Sequence, residues 1–244
     1  MFAISEHLYI TANSKMAMRL VHNIFEPKAS RVIRCLLINI GKEWTIRQIA
    51  KEAQTSVGYT HAVLATLTEM KYIERNKKQK LVLLNPSTLL KRWAAFHQYD
   101  HNNQFLDYYT FEKEIDTFLT ELKEKLTNEK YALTSLAGAW LVSPYVRPID
   151  IHIYTENQKK AKNLSQMLNI KPTAGTGNIR MVIPYDKGVF YGSRLIRGTK
   201  VVSNIQLFVD LFNYPARGEE AAQQLYNLIE KEWSKTLTGA PHVR

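Results

Sequence analysis

Three groups of side chains have types and spacings with chemical meaning. The first suits a polyanion: Arg47, then Ser56, Tyr59, His61 and Thr66, then Lys77, Lys78 and Lys80. Tyr59 and His61 offer hydrogen bonds to base edges, whereas Arg47 and the three lysines neutralise phosphates, which positions a protein without specifying sequence. Ser56 suits either a helix cap or a backbone site for a phosphate. No Arg or Asn shares the outer face with Tyr59 and His61, so no ready reader of guanine or adenine is present, and specificity is expected to be modest or shape-based.

The second group is Gly138 followed twelve positions later by Asp150-Ile151-His152. It resembles the nucleotidyltransferase pattern, in which a Gly-Ser or Gly-Gly pair precedes two metal-binding carboxylates on one strand face. Here Ala139 follows the glycine and His152 replaces the second acid, so a two-metal site for phosphoryl transfer lacks a ligand. Asp186 and Asp210 are the acids left to supply another. The expectation is a catalytically silent version of that fold, with no catalytic residues. The alternative is a nucleic-acid-modifying enzyme of nucleotidyltransferase type.

The remaining candidates are weaker. His97 and His101 are four apart, a helical metal-ligand spacing, but without a third ligand nearby. Arg194 and Arg197 beside Tyr191 suit an anion contact or surface ion pairs. Thr173-Ala174-Gly175-Thr176-Gly177-Asn178 is Gly-rich but lacks a following Gly-Lys-Ser/Thr, so it reads as a surface loop rather than a phosphate loop. No metal and no cofactor is expected.

Composition narrows the partner. The chain has 244 residues, 33 Lys plus Arg against 22 Asp plus Glu, and a net charge of +11. Residues 28–100 hold 13 basic and 5 acidic side chains, residues 101–128 hold 3 and 6, and residues 129–244 hold 15 and 9. A field concentrated in one segment predicts a polyanion there, because phosphate neutralisation releases counterions. The one cysteine, Cys35, excludes an intrachain disulfide and lies in the apolar run VIRCLLINI, as core filling does. With neither a membrane-length apolar run nor a leader pattern, a cytoplasmic protein without membrane contact is expected.

The elements that must position these groups follow from periodicity. Val32, Ile33, Leu36, Leu37 and Ile40 recur at helical spacing over residues 29–40, ended by Gly41. Thr45 caps a second helix over 46–53. After Gln54-Thr55-Ser56 a third helix runs over 57–70, with Val57, Thr60, Val63, Leu64 and Leu67 inward. Short strands at 72–76 and 81–85 flank the lysine turn. In this order residues 29–85 resemble the winged-helix family of regulators, whose third helix enters the major groove. Winged helices also serve as protein-interaction modules, which is a further alternative.

Beyond Pro86 an apolar run (Leu89, Leu90, Trp93, Phe96) leads into a polar stretch. A helix over 110–126 reads as a bridge or dimer support. Strands are predicted at 149–154, 179–184 and 200–202, and helices at 158–168, 203–211 and 218–233: a mixed α/β plan around a small sheet. The segments LTSLAGAWLVSPYVRPIDIHIY and VVSNIQLFVDLFNYPARGEEAAQQLYNLIEKEW look like the C-terminal domain of AbiEi-type antitoxin regulators, and nearly the whole chain from about residue 28 fits that resemblance. The resemblance implies DNA-binding autoregulation and neutralisation of a partner nucleotidyltransferase toxin.

The expected organisation is an N-terminal helical extension (1–27), a winged helix-turn-helix (28–100), a linker helix (101–128) and an α/β domain (129–244). The expected partners are double-stranded DNA, a toxin protein and a second copy of the chain. A homodimer follows from the usual two-fold symmetry of DNA sites, and the apolar residues before position 27 would supply an interface helix.

Overall fold

The computed structural model describes residues 21, 23–112, 114–175, 177–215 and 217–238. The expected interface helix before residue 21 lies outside the described residues. Helix α1 (Pro27–Ile38) opens with proline in its first turn, where a missing N–H is no loss, and buries Ala29, Val32, Ile33, Leu36 and Leu37. Helix α2 (Ile46–Glu52) starts from a reciprocal capping box between Thr45 and Gln48. Helix α3 (Val57–Glu69) is capped by Ser56 and buries Thr60, Val63, Leu64 and Leu67. Val57 departs from expectation: at the first position of α3 no element covers it, and it is 49% exposed.

Strands β1 (Ile73–Arg75) and β2 (Leu81–Leu83) form an antiparallel ribbon with Ile73 opposite Leu83. Trp44 adds a bridge to Leu81, its N–H donating to the Leu81 carbonyl and its own carbonyl accepting from the Leu81 N–H. Helix α4 (Pro86–Phe96) follows without a loop, and a single helical turn, α5 (Tyr99–Asn102), comes next.

The chain then builds one mixed sheet of seven strands, larger than the small sheet expected. In chain order they are β3 (Gln104–Tyr109), β4 (Ala132–Thr134), β5 (Ile151–Tyr154), β6 (Lys171–Pro172), β7 (Ile179–Ile183), β8 (Arg194–Ile196) and β9 (Thr199–Val201). Their spatial order is β6-β3-β7-β5-β4-β9-β8, with β5 parallel to β7, β4 parallel to β9, and the other pairs antiparallel. The helices with it are α6 (Ile115–Lys125), α7 (Ser135–Val142), α8 (Gln158–Met167), α9 (Asn204–Leu211) and α10 (Gly218–Leu237). The fold class is therefore α/β, with helices before and around a mixed sheet.

Two segments differ from the sequence expectation. Residues 104–109 belong to a stretch read as linker, yet form a strand paired on both sides. Asp107 stands opposite Arg180 across β3 and β7, and the Arg180 Nε donates to Asp107 Oδ1 at 2.9 Å, so a cross-strand ion pair stands where an apolar pair would have been easier to read. The helix expected over 110–126 begins only at Ile115.

The core is continuous from α1 to α10. Trp233 of α10 donates its indole N–H to the Leu37 carbonyl at 3.2 Å, and Phe25, just before α1, packs on Phe96 with ring centroids 5.6 Å apart. Gly138 of α7 lets that helix close onto the sheet: a Cβ there would lie 2.6 Å from Leu207 of α9 and 3.2 Å from the Leu133 carbonyl.

Candidate nucleic-acid interface and its buried supports

The predicted polyanion-binding residues fall on α2, α3 and the ribbon. Arg47 is exposed on α2 and His61 on α3. An open groove of about 710 Å³ lies between α3 and the ribbon, walled by His61, Thr68, Arg75 and Glu74, so His61 and the ribbon share one surface depression. Lys77 and Lys78 are exposed at the ribbon tip and Lys80 is half-buried. The tip is shaped by Asn76, whose Oδ1 accepts from the N–H groups of Lys78 and Lys80, both at 3.0 Å, and by Gln79 in the left-handed region (φ 59°).

Three of the predicted residues have local tasks. The Ser56 hydroxyl accepts from the Tyr59 N–H at 3.3 Å, which is the cap. Tyr59 is half-buried with the Lys28 ammonium 4.9 Å from its ring centroid, and burial pushes its phenol above the usual range. Thr66 is turned toward the chain entering α1: its hydroxyl accepts from the Val21 N–H at 3.1 Å and donates to the Ala62 carbonyl at 3.2 Å. Its hydrogen-bonding capacity is thus used within the protein.

Beneath this surface, α1 is fastened to the sheet-bearing part by charged groups that the apolar pattern concealed. Arg31 grips Asp186 through Nε (2.8 and 2.9 Å) and Nη2 (2.7 Å), while its Nη1 reaches the Gln54 carbonyl in the α2–α3 turn at 3.3 Å. Asp186 also accepts from the Gly188 N–H, fixing the 3₁₀ turn Lys187–Phe190. Arg34 is fully buried. Its Nε donates to Gln206 Oε1 at 2.9 Å and its Nη2 to the Tyr185 hydroxyl at 3.2 Å, and the guanidinium lies over Trp93. Gln206 donates to Asp210 Oδ1 at 2.7 Å, and Asp210 Oδ2 accepts from Thr134 (2.5 Å) and Tyr154 (3.1 Å). Burial and the Asp210 carboxyl hold the Tyr154 phenol well above its ordinary range, so it donates.

Tyr191 closes the same junction: its hydroxyl accepts from Asn39 at 2.9 Å and donates to Glu52 at 3.2 Å. Sequence reasoning passed over Arg34 and Gln206, and weighed Asp210 only as a spare carboxylate. The available signal was a charge inside an apolar run, Arg in VIRCLL and Asp in LFVDLF.

The degenerate nucleotidyltransferase pattern is equally well placed to be read. His152 is fully buried, with Nδ1 2.9 Å from the Tyr99 hydroxyl and Nε2 3.1 Å from Asp150. Burial keeps the Tyr99 phenol protonated far above its usual range, and the His152 ring bridges that phenol and the Asp150 carboxyl. Burial alone would raise the Asp150 carboxyl, but the His152 hydrogen bond, with Arg180 and Tyr214 adding to it, holds it below the usual value. The Tyr214 phenol is pushed up to about 12 by burial and by Asp150. His152 and Arg180 are register partners on β5 and β7, so a cation stands on the neighbouring strand level with His152. The other acids are engaged elsewhere, Asp186 with Arg31 and Asp210 with Gln206, Thr134 and Tyr154.

The remaining candidates separate. Helix α4 ends at Phe96, so His97 and His101 do not share a helix; His97 is buried with Nε2 3.2 Å from Asp210 Oδ1, off the hydrogen-bond direction, and His101 is exposed. Among the described residues no group of three or more His, Cys, Asp or Glu has metal-holding geometry. Arg194 donates to Asn204, and burial lowers its guanidinium from the usual value; Arg197 is exposed in the β8–β9 turn. No helix among the described residues is long and apolar enough to cross a membrane.

A model of the family described as "Transcriptional regulator, AbiEi antitoxin, Type IV TA system" matches residues 81–231, from β2 into α10. No curated protein and no solved structure matches the chain.

Proposed function

We propose, since the chain belongs to the family of AbiEi antitoxins, transcriptional regulators of type IV toxin–antitoxin systems, that residues 28–100 act as a winged helix-turn-helix on duplex DNA. The family match begins at β2, so the DNA assignment for α1 to α3 draws on geometry. The observation that carries it is the groove between α3 and the ribbon, walled by His61 of the third helix and by Glu74 and Arg75 of the ribbon, whose tip carries the exposed Lys77 and Lys78. In this reading the N-terminal half of α3 enters the major groove, His61 and Tyr59 meet base edges, and Arg47 and the ribbon lysines meet phosphates.

The protein is read as a cytoplasmic autoregulator that binds its own upstream DNA as a homodimer and counteracts a partner toxin through residues 129–244. It is read as a regulator rather than an enzyme, because Asp150 is hydrogen-bonded to His152, with the Arg180 charge acting on it, instead of standing beside a second carboxylate. The experiment is titration of the chain against its upstream duplex and a random duplex at several salt concentrations. A steep fall of affinity with salt and a preference for the upstream fragment support autoregulation. Absence of duplex binding at low salt overturns the DNA assignment and makes the three helices and ribbon a protein-interaction module. Growth rescue when the chain is co-expressed with its neighbouring toxin tests the antitoxin role separately.

A further inference from the structure

The junction that fastens α1 and the α2–α3 turn to the 3₁₀ turn encloses a cleft of about 220 Å³. Four cationic side chains line it, Arg31, Arg34, Lys130 and Lys187, against one carboxylate, Glu52. Arg31 is paired with Asp186, and Lys130 with Glu156 at 2.8 Å. Glu52 accepts from Tyr191. The two charges left without an acid among the described residues are Arg34 and Lys187. Arg34 is fully buried, and its Nη1 has no hydrogen-bond partner among the described residues. A buried guanidinium nitrogen left in that state is costly, and an anion is the partner that would best relieve it. The half-buried rings of Phe190 and Tyr191 stand on the same wall, with the Lys130 ammonium 5.5 Å from the Phe190 centroid.

We propose that this cleft is an effector site for a nucleoside monophosphate, its phosphate between Arg34 and Lys187 and its base against Phe190 and Tyr191. The occupant would touch Glu52, Ala53 and Gln54 on one side and Gly188 to Tyr191 on the other. Gln54 lies in the turn that leads into α3, so a molecule wedged there changes the pose of the reading helix. Linkage requires the effect to be mutual: whatever the ligand does to duplex affinity, duplex does to ligand affinity. This second half rests on the DNA reading; occupancy of the cleft does not.

The test titrates the full chain, without DNA, with AMP, GMP, CMP and UMP in turn and with inorganic phosphate, by calorimetry. The control is the K130A/K187A double variant, whose two side chains are exposed and whose thermal midpoint is expected to stay within a few degrees. The expected result is binding of at least one nucleotide, tighter than phosphate, and weakened tenfold or more in the double variant. No binding at millimolar nucleotide, binding indifferent to the double variant, or binding of phosphate with no nucleotide overturns the site. With DNA present, the nucleotide is expected to shift duplex affinity fivefold or more, with the same factor returned on the nucleotide. Nucleotide binding with no such shift overturns the effector role, and a chain that binds no duplex would sink the DNA reading while leaving the calorimetric result to decide the cleft.

Discussion

Arg34 of α1 and Asp210 of α9 are joined through a neutral residue: Gln206 accepts from the guanidinium at 2.9 Å and donates to the carboxyl at 2.7 Å. Both charged groups are fully buried, and the amide satisfies one atom of each. Gln206→Leu removes the relay while keeping the volume close. It should destabilise the chain by about 3–5 kcal/mol, the cost of leaving buried charged groups without their partner. Urea unfolding measures it, and a loss under about 1 kcal/mol would mean that water replaces the amide.

The ribbon tip should contribute charge and little specificity. Changing Lys77, Lys78 and Lys80 together to Ala should flatten the slope of log affinity against log salt by up to about three units, equally for upstream and random duplex. A variant that loses preference but keeps its slope would place base contacts at the tip instead.

His61 should do the reverse. His61→Ala is expected to remove about 1–3 kcal/mol of preference for the upstream duplex and leave the salt slope alone. Arg47→Ala should lower the slope by about one unit and spare the preference. Competition titrations at two salt concentrations separate the two behaviours.

Where apolar spacing dominates, the sequence was readable. α1, α2 and α3 lie within two residues of their expected limits because Val32, Ile33, Leu36 and Leu37, and later Val63, Leu64 and Leu67, recur at helical intervals. Strand β3 was not legible, since its cross-strand partner at Asp107 is Arg180 and its flanks are polar. Val57 misled because hydrophobicity says nothing about whether an element arrives to cover a helix's first residue. Among the candidate contact residues, types and spacing singled out Thr66 together with His61 and the lysines, but only the fold shows the Thr66 hydroxyl tied to Val21 and Ala62. Arg31–Asp186 and Arg34–Gln206 span about 155 and 172 positions, and no local pattern announces such pairs.

Gly138 supports packing between α7, α9 and β4, and Gly138→Ala should cost about 1–3 kcal/mol by overpacking against Leu207 and the Leu133 carbonyl. Asp150→Asn, in contrast, should leave duplex affinity unchanged. A parallel loss of DNA binding in Asp150→Asn would tie that cluster to the interface.

Cys35 gives a pH signature. Burial raises its thiol from 9.0 to about 11, partly offset by the Tyr191 hydroxyl. The native state therefore holds this proton more tightly than the unfolded chain. Its contribution is complete below about pH 9 and is lost as pH climbs through about 11, a total of about 2–3 kcal/mol. Stability curves of wild type and Cys35→Ala should converge over that interval, and curves that stay parallel would show an exposed or hydrated thiol.

The attachment of α1 to Asp186, Gln206 and the Leu37–Trp233 hydrogen bond limits how this protein can be re-engineered. A graft exchanging residues 28–100 for those of another regulator would import a first helix with no counterpart for the receiving wall, and would strand the acceptors left behind. Under the proposed DNA reading, new operator preferences are better reached by changing an outward position in place, such as His61, than by swapping whole modules.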